Sequence, residues 1–167
     1  LTATGGAITN SGSATNTPLL AATGSMTATA SGGAITNGKG ASLLGGSAVT
    51  LTGDSFTNSG TVYGTGGAAP TVTITSSGAF SNSATGAVVA GSQLNINAAS
   101  YSNQGSVGSQ GNVAVTGVSG FDPVSDNIIA SGTLDLGSAN LTVAQGKGWS
   151  SGASHVTWGT LTNFGTV

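Results

Sequence analysis

Val72-Thr-Ile-Thr-Ser-Ser-Gly-Ala-Phe80-Ser-Asn82 and Leu94-Asn-Ile-Asn-Ala-Ala-Ser-Tyr101-Ser-Asn103 carry the same order of chemistry about 22 residues apart, and their comparison decides the fold. In each, apolar side chains alternate with Thr or Asn over the first four residues, the period of two of a half-buried strand. An aromatic residue, Ser and Asn then close the unit. The opening recurs as Leu1-Thr-Ala-Thr, Met26-Thr-Ala-Thr, Val49-Thr-Leu-Thr, Val113-Ala-Val-Thr, Leu134-Asp-Leu-Gly and Val156-Thr-Trp-Gly. A fixed period in this range marks a solenoid, because one unit cannot bury its apolar face until a neighbour stacks on it.

The closing element recurs as Ile8-Thr-Asn10, Ile35-Thr-Asn37, Phe56-Thr-Asn58 and Leu161-Thr-Asn163. A small residue and then Val continue it, as in Asn58-Ser-Gly60-Thr-Val62, Asn103-Gln-Gly105-Ser-Val107 and Asn163-Phe-Gly165-Thr-Val167, which gives a third short strand per repeat. The expected fold is all-β: a parallel β-helix (β-solenoid) running through residues 1–167 as a single segment, with about eight coils of roughly 22 residues and three short strands per coil. With rungs about 4.8 Å apart, eight coils predict a rod on the order of 40 Å long. Helix is excluded by the 30 glycines scattered through the chain, each costing a helix about 1 kcal/mol. Phe56, Phe80 and Tyr101 are expected inside. Asn10, Asn37, Asn58, Asn82, Asn103 and Asn163 are expected to form a ladder at one corner, since Asn tolerates left-handed backbone geometry and its amide can bond its copies above and below.

Two coils depart from the pattern. Phe121-Asp122-Pro123 stands where Phe-Ser-Asn is due, and proline cannot donate to a central ladder, so an irregular loop or bulge is expected at 119–131. Leu141-Thr-Val143 puts Val where other coils carry Asn.

Composition narrows the function classes. Lys+Arg number 2 and Asp+Glu 4, with a net charge of −2, so the field needed to gather nucleic acid or anionic lipid is missing. There are no cysteines, which excludes disulfides and thiolate metal sites. Neither a run long enough to span a bilayer nor a basic leader before an apolar stretch is present, and a chain opening at Leu1 reads as a processed or excised piece.

The repeated apolar-x-Asn-x-Gly-x-(Val/Ile) core over about residues 1–118 and 156–167 resembles the haemagglutinin-type repeats of filamentous haemagglutinin and related large bacterial exoproteins of two-partner secretion. The resemblance implies a right-handed helix and a secreted or cell-surface adhesin or fibre shaft. It brings no catalytic residues.

Candidate chemistry is sparse. Asp122, Asp126 and Asp135 fall in adjacent coils, where β-helix polysaccharide enzymes would set an acid and a base. There is no arginine to accompany them, and Lys39 and Lys147 flank glycines in turns; turn-forming aspartates are the reading adopted, with Asp54 among them. Asp122, Asp126 and Asn127 offer oxygen ligands for a hard cation, yet no known calcium-loop motif is present. No catalytic, metal or cofactor site is therefore assigned. His155 is read as an exposed strand residue, and Trp149 as the aromatic residue best placed for an exposed contact.

One surface array stands out. Thr2, Thr4, Thr27, Thr29, Thr50, Thr52, Thr73 and Thr75 are expected to stack into two files of hydroxyls, an arrangement that resembles ice-binding β-solenoids and equally suits threonine's strand preference. The function expected is a structural shaft of a secreted or cell-surface bacterial fibre or adhesin, serving cell adhesion or biofilm scaffolding without catalysis. The alternatives are a head-to-tail filament subunit, an ice-binding surface and a polysaccharide-active enzyme. Expected partners are flanking coils of the same protein or identical subunits stacked end to end, with a host receptor or glycan, and neither nucleic acid nor membrane insertion.

Overall fold

The structure is a computed structural model that describes residues 1–12, 16–119, 127–143 and 150–163. Its elements are β1 (Thr2–Thr4), β2 (Ile8–Asn10), β3 (Leu19–Ala22), β4 (Ser25–Asn37), β5 (Ser42–Gly45), β6 (Ala48–Asn58), β7 (Thr61–Gly64), β8 (Thr71–Asn82), β9 (Ala87–Ala90), β10 (Gln93–Asn103), β11 (Ser106–Ser109), β12 (Asn112–Val118), β13 (Asn127–Val143) and β14 (Ser150–Asn163). Every pairing is parallel and joins a strand to its counterpart one turn away, so the chain winds as a right-handed β-solenoid.

Period-two alternation produces the core. Val49, Val72, Leu94, Val113 and Leu134 stack in one inward column, and Leu51, Ile74, Ile96, Val115 and Leu136 in the next, all of them buried. A third column rises from Ile8 through Ile35 and Phe56 to Phe80 and Tyr101. Its rings stack with centroids 5.7 Å apart for Phe56 and Phe80 and 4.9 Å for Phe80 and Tyr101. The short strands close the triangle with Leu43, Val62, Val88, Val107 and Ile128.

Three details differ from the sequence reading. First, the opening and closing strands of a turn are not separate: β4, β6, β8 and β10 run through the corner, with a register shift between Ala30 and Ala34, Gly53 and Phe56, and Ala98 and Ser100. A bulge bends the strand without ending it.

Second, the coil count is not eight. About five turns of roughly 22 residues are complete in all three strands, from β1–β3 to β10–β11. Beyond them β12, β13 and β14 extend the stack, but after Asn103 the chain loses the apolar-Ser/Thr-Asn element that builds the second corner until Leu161-Thr-Asn163. Of the expected irregular stretch at 119–131, residues 120–126 lie outside the described residues, and Asn127–Ala130 pair with β11.

Third, both end openings are shifted by two residues. Thr2 lies over Thr29 and Ala3 over Ala30, not over Thr27 and Ala28. The repeat of Gly5-Gly-Ala-Ile-Thr-Asn10 as Gly32-Gly-Ala-Ile-Thr-Asn37 explains the choice, since Ile8 over Ile35 and Asn10 over Asn37 fix that turn at 27 residues and carry its opening with it. At the other end Val156 lies over Leu136, and Trp158, expected inside, is 43% exposed.

Close stacking leaves no room for side chains at certain corners. A Cβ on Gly60 would sit 2.2 Å from the Ala41 carbonyl oxygen and 2.5 Å from that of Gly38. Both are backbone atoms of the preceding turn. Gly60→Ala is therefore expected to lower stability by about 2 kcal/mol or more through overpacking, read as a reduced urea midpoint at unchanged slope.

Candidate functional site

The asparagine column forms because the closing strand ends with an inward-facing residue at the second corner, where the backbone turns and its carbonyls point inward. An apolar side chain there would strand those carbonyls without donors. Asn10 Nδ2 donates to Asn37 Oδ1 at 3.0 Å, Asn37 to Asn58 at 2.8 Å, Asn58 to Asn82 at 2.8 Å and Asn82 to Asn103 at 2.7 Å. Each of the four donating amides also reaches a corner carbonyl: Asn58 Nδ2 donates to the Gly60 carbonyl at 3.0 Å and to that of Ala87, one turn on, at 3.2 Å. All five are buried.

The bonds run in one direction, each amide nitrogen pointing to the next turn, so neighbouring dipoles reinforce one another. No described residue other than glycine has a positive φ, so left-handed backbone tolerance plays no part. Asn is required here for its amide. Asn163 lies opposite Val143 at the far end of the stack, and the described column does not reach it.

The threonines fall into shorter files than expected. Thr27, Thr50 and Thr73 align, as do Thr29, Thr52 and Thr75. Thr2 joins the second file over Thr29, whereas Thr4 lies over Ser31. Both files give way at the next turn to Asn95 and Asn97.

The charged candidates are dispersed. Asp135 and His155 face each other on adjacent strands, Oδ1 to Nδ1 at 3.3 Å, with side chains 49% and 72% exposed. Asp54 is exposed on β6, and Lys39 is exposed between Gly38 and Gly40. Asp54 and Asp135 stand four rungs apart along the stack, about 19 Å, whereas a glycosidase pair needs roughly 5–9.5 Å. Asp122, Asp126, Lys147 and Trp149 lie outside the described residues. Among the described residues no three His, Asp, Glu or Cys side chains group closely enough to hold a metal, and no helix is long and apolar enough to cross a membrane.

One feature escaped the sequence reading. The short strands carry an outward apolar file, Leu44, Tyr63, Val89 and Ile129, interrupted only at Gly108. Aligning the third strands by their buried residues would have found it.

Stacked parallel strands, a triangular apolar core and a buried amide ladder define a β-solenoid whose repeated chemistry is its own cohesion. The haemagglutinin repeat family matches residues 1–84 and 88–163, nearly the whole chain, and the chain belongs to that family. Such repeats build the structural, adhesin-type shafts of exoproteins and stack on coils of the same protein. No curated protein and no solved structure matches the chain.

Proposed function

We propose that the chain is a length of shaft in a secreted or cell-surface bacterial fibre, non-catalytic, whose work is to hold adhesive or scaffolding surfaces away from the cell. The observation that carries this reading is the unbroken column from Asn10 to Asn103, buried where an enzyme or receptor site would be exposed. Rigidity follows from repetition: each turn is held by its two neighbours, and stability is a sum of like interfaces.

A shaft is defined by length and not by a unique site, so removing one turn in register should be tolerated. Deleting residues 49–71, which joins Ala48 to Val72, is expected to leave a folded chain with an unchanged circular dichroism shape and a rod about 4.8 Å shorter by small-angle scattering. Collapse of the fold on this deletion would overturn the reading.

End-to-end stacking of identical copies is a second reading, favoured by the likeness of the rungs: each strand pairs in parallel with a near copy of itself one turn away, so a rung of a second molecule could take the same place. Open strand edges recruit further strands. Electron microscopy of the purified chain separates the two: fibres of uniform width that lengthen with concentration support the subunit, and single short rods support a shaft continued by coils of its own protein.

A further inference from the structure

Two recesses flank a single corner of the solenoid. On the short-strand face Val89 and Ile129 are two rungs apart, and Gly108 between them has no side chain, which opens a recess of about 260 Å³. Gly108 cannot be filled cheaply, because a Cβ there would lie 2.8 Å from the Ile129 carbonyl oxygen. Round the corner, the outward file of the first sheet drops to Ala114 between Asn95 and Asp135, leaving a second recess of about 340 Å³ lined by Gln93, Asn112, Thr133 and Asp135.

Gln110 lines the first recess and Asn112 the second. Only Gly111 separates them, and its corner is barred to side chains, since a Cβ would sit 2.1 Å from the Ser92 carbonyl oxygen. An apolar hollow and a polar one thus lie on either side of a bare edge.

The polar side is already organised. Gln93 Nε2 donates to Asn95 Oδ1 at 2.9 Å, and Asn112 Oδ1 accepts from the Thr133 N–H at 2.9 Å, so both amides are oriented before any ligand arrives. Pre-set side chains lose less freedom on binding.

We propose that this corner binds a short neutral oligosaccharide, one ring laying its C–H face between Val89 and Ile129 over Gly108, the next offering hydroxyls to Gln93, Asn112, Thr133 and Asp135. Sugar hydroxyls both donate and accept, and amides, a threonine and a carboxylate supply partners of each kind. Concave sites with an apolar wall and a few convergent polar groups suit a ligand of this chemistry. Anionic sugars are disfavoured, because among the described residues no Lys lines either recess and the Asp135 carboxylate lines the polar one.

The site stands apart from the shaft reading, and so does its test. Amide chemical shifts of the full chain, titrated with cellotriose, maltotriose and mannotriose, are expected to move at Val89, Gly108, Gln110, Asn112 and Ile129 with at least one of the three. Sialyllactose and a sulfated disaccharide should leave them in place. Ala114→Phe, which fills the polar recess, should weaken the responding sugar about tenfold or more, whereas Thr50→Phe, in the same outward file several turns away, should not. Gln93→Ala with Thr133→Ala replaces Ala114→Phe if that variant loses its strand spectrum. Shifts elsewhere on the rod, no response to any neutral trisaccharide at millimolar concentration, preference for the anionic sugars, or undiminished binding in the filled variant would each overturn the proposal.

Discussion

Asn58→Ala is expected to destabilise the chain by about 3–5 kcal/mol, more than its modest change of volume suggests. Asn58 is fully buried, donates to Asn82, Gly60 and Ala87, and accepts from Asn37 Nδ2 at 2.8 Å. Truncation strands Asn82 Oδ1 and a corner carbonyl, at about 1–3 kcal/mol for each buried group left without a partner, and leaves a small void. Chemical denaturation followed by circular dichroism measures the loss. A change under about 1 kcal/mol would mean that the ladder fills space and nothing more.

Asn58→Asp adds a pH signature that Ala cannot. The new carboxylate has no proton to offer Asn82 Oδ1 or the Gly60 and Ala87 carbonyls, so burial and these oxygens favour its protonated form and lift its folded pKa above the ordinary value of about 3.9. With the folded state then holding more protons than the unfolded, stability falls as pH rises from about 4 toward the raised folded value. The variant should therefore resist urea better at pH 4 than at pH 7, relative to the parent chain at each pH.

Phe80→Ala is the second large effect, expected at about 3–5 kcal/mol. Phe80 is 1% exposed and lies between Phe56 and Tyr101, so its removal empties the middle of a three-ring stack and weakens the interfaces on both sides of one turn. Because turns interact only with neighbours, the damage should be local as well as large. Hydrogen exchange is expected to quicken first in β6, β8 and β10, with β12 and β13 affected later. Uniform loss of protection along the rod would instead show that the solenoid unfolds as a single unit. Phe80→Leu, which keeps most of the volume, should cost markedly less.

Much of the fold was legible because each turn repeats two independent signals. Alternation in Val72-Thr-Ile-Thr and Leu94-Asn-Ile-Asn sets which side chains turn inward, and the Asn closing each unit sets where the second corner falls. Asn58, Asn82 and Asn103 could be placed in one column from spacing alone. Their amides matter, and their backbone is ordinary strand and not the left-handed corner expected of asparagine. The two recesses were invisible because they depend on which outward residues of different turns become neighbours. Gly108 is an unremarkable glycine until Val89 and Ile129 stand on either side of it.

The sequence by itself determined the strand faces, the parallel stacking and the buried polar corner, since a one-residue slip would expose every apolar column. A two-residue slip keeps the in-and-out alternation of every strand. Alternation is blind to it, so Leu1-Thr-Ala-Thr matches residues 26–29 in composition while the structure seats Thr2 on Thr29, and Val156 rests on Leu136 instead of Leu134. Only the tertiary structure decided those registers; the first is fixed by contacts elsewhere in the same turn, Ile8 on Ile35 and Asn10 on Asn37, whose burial and amide bonding outweigh the local match.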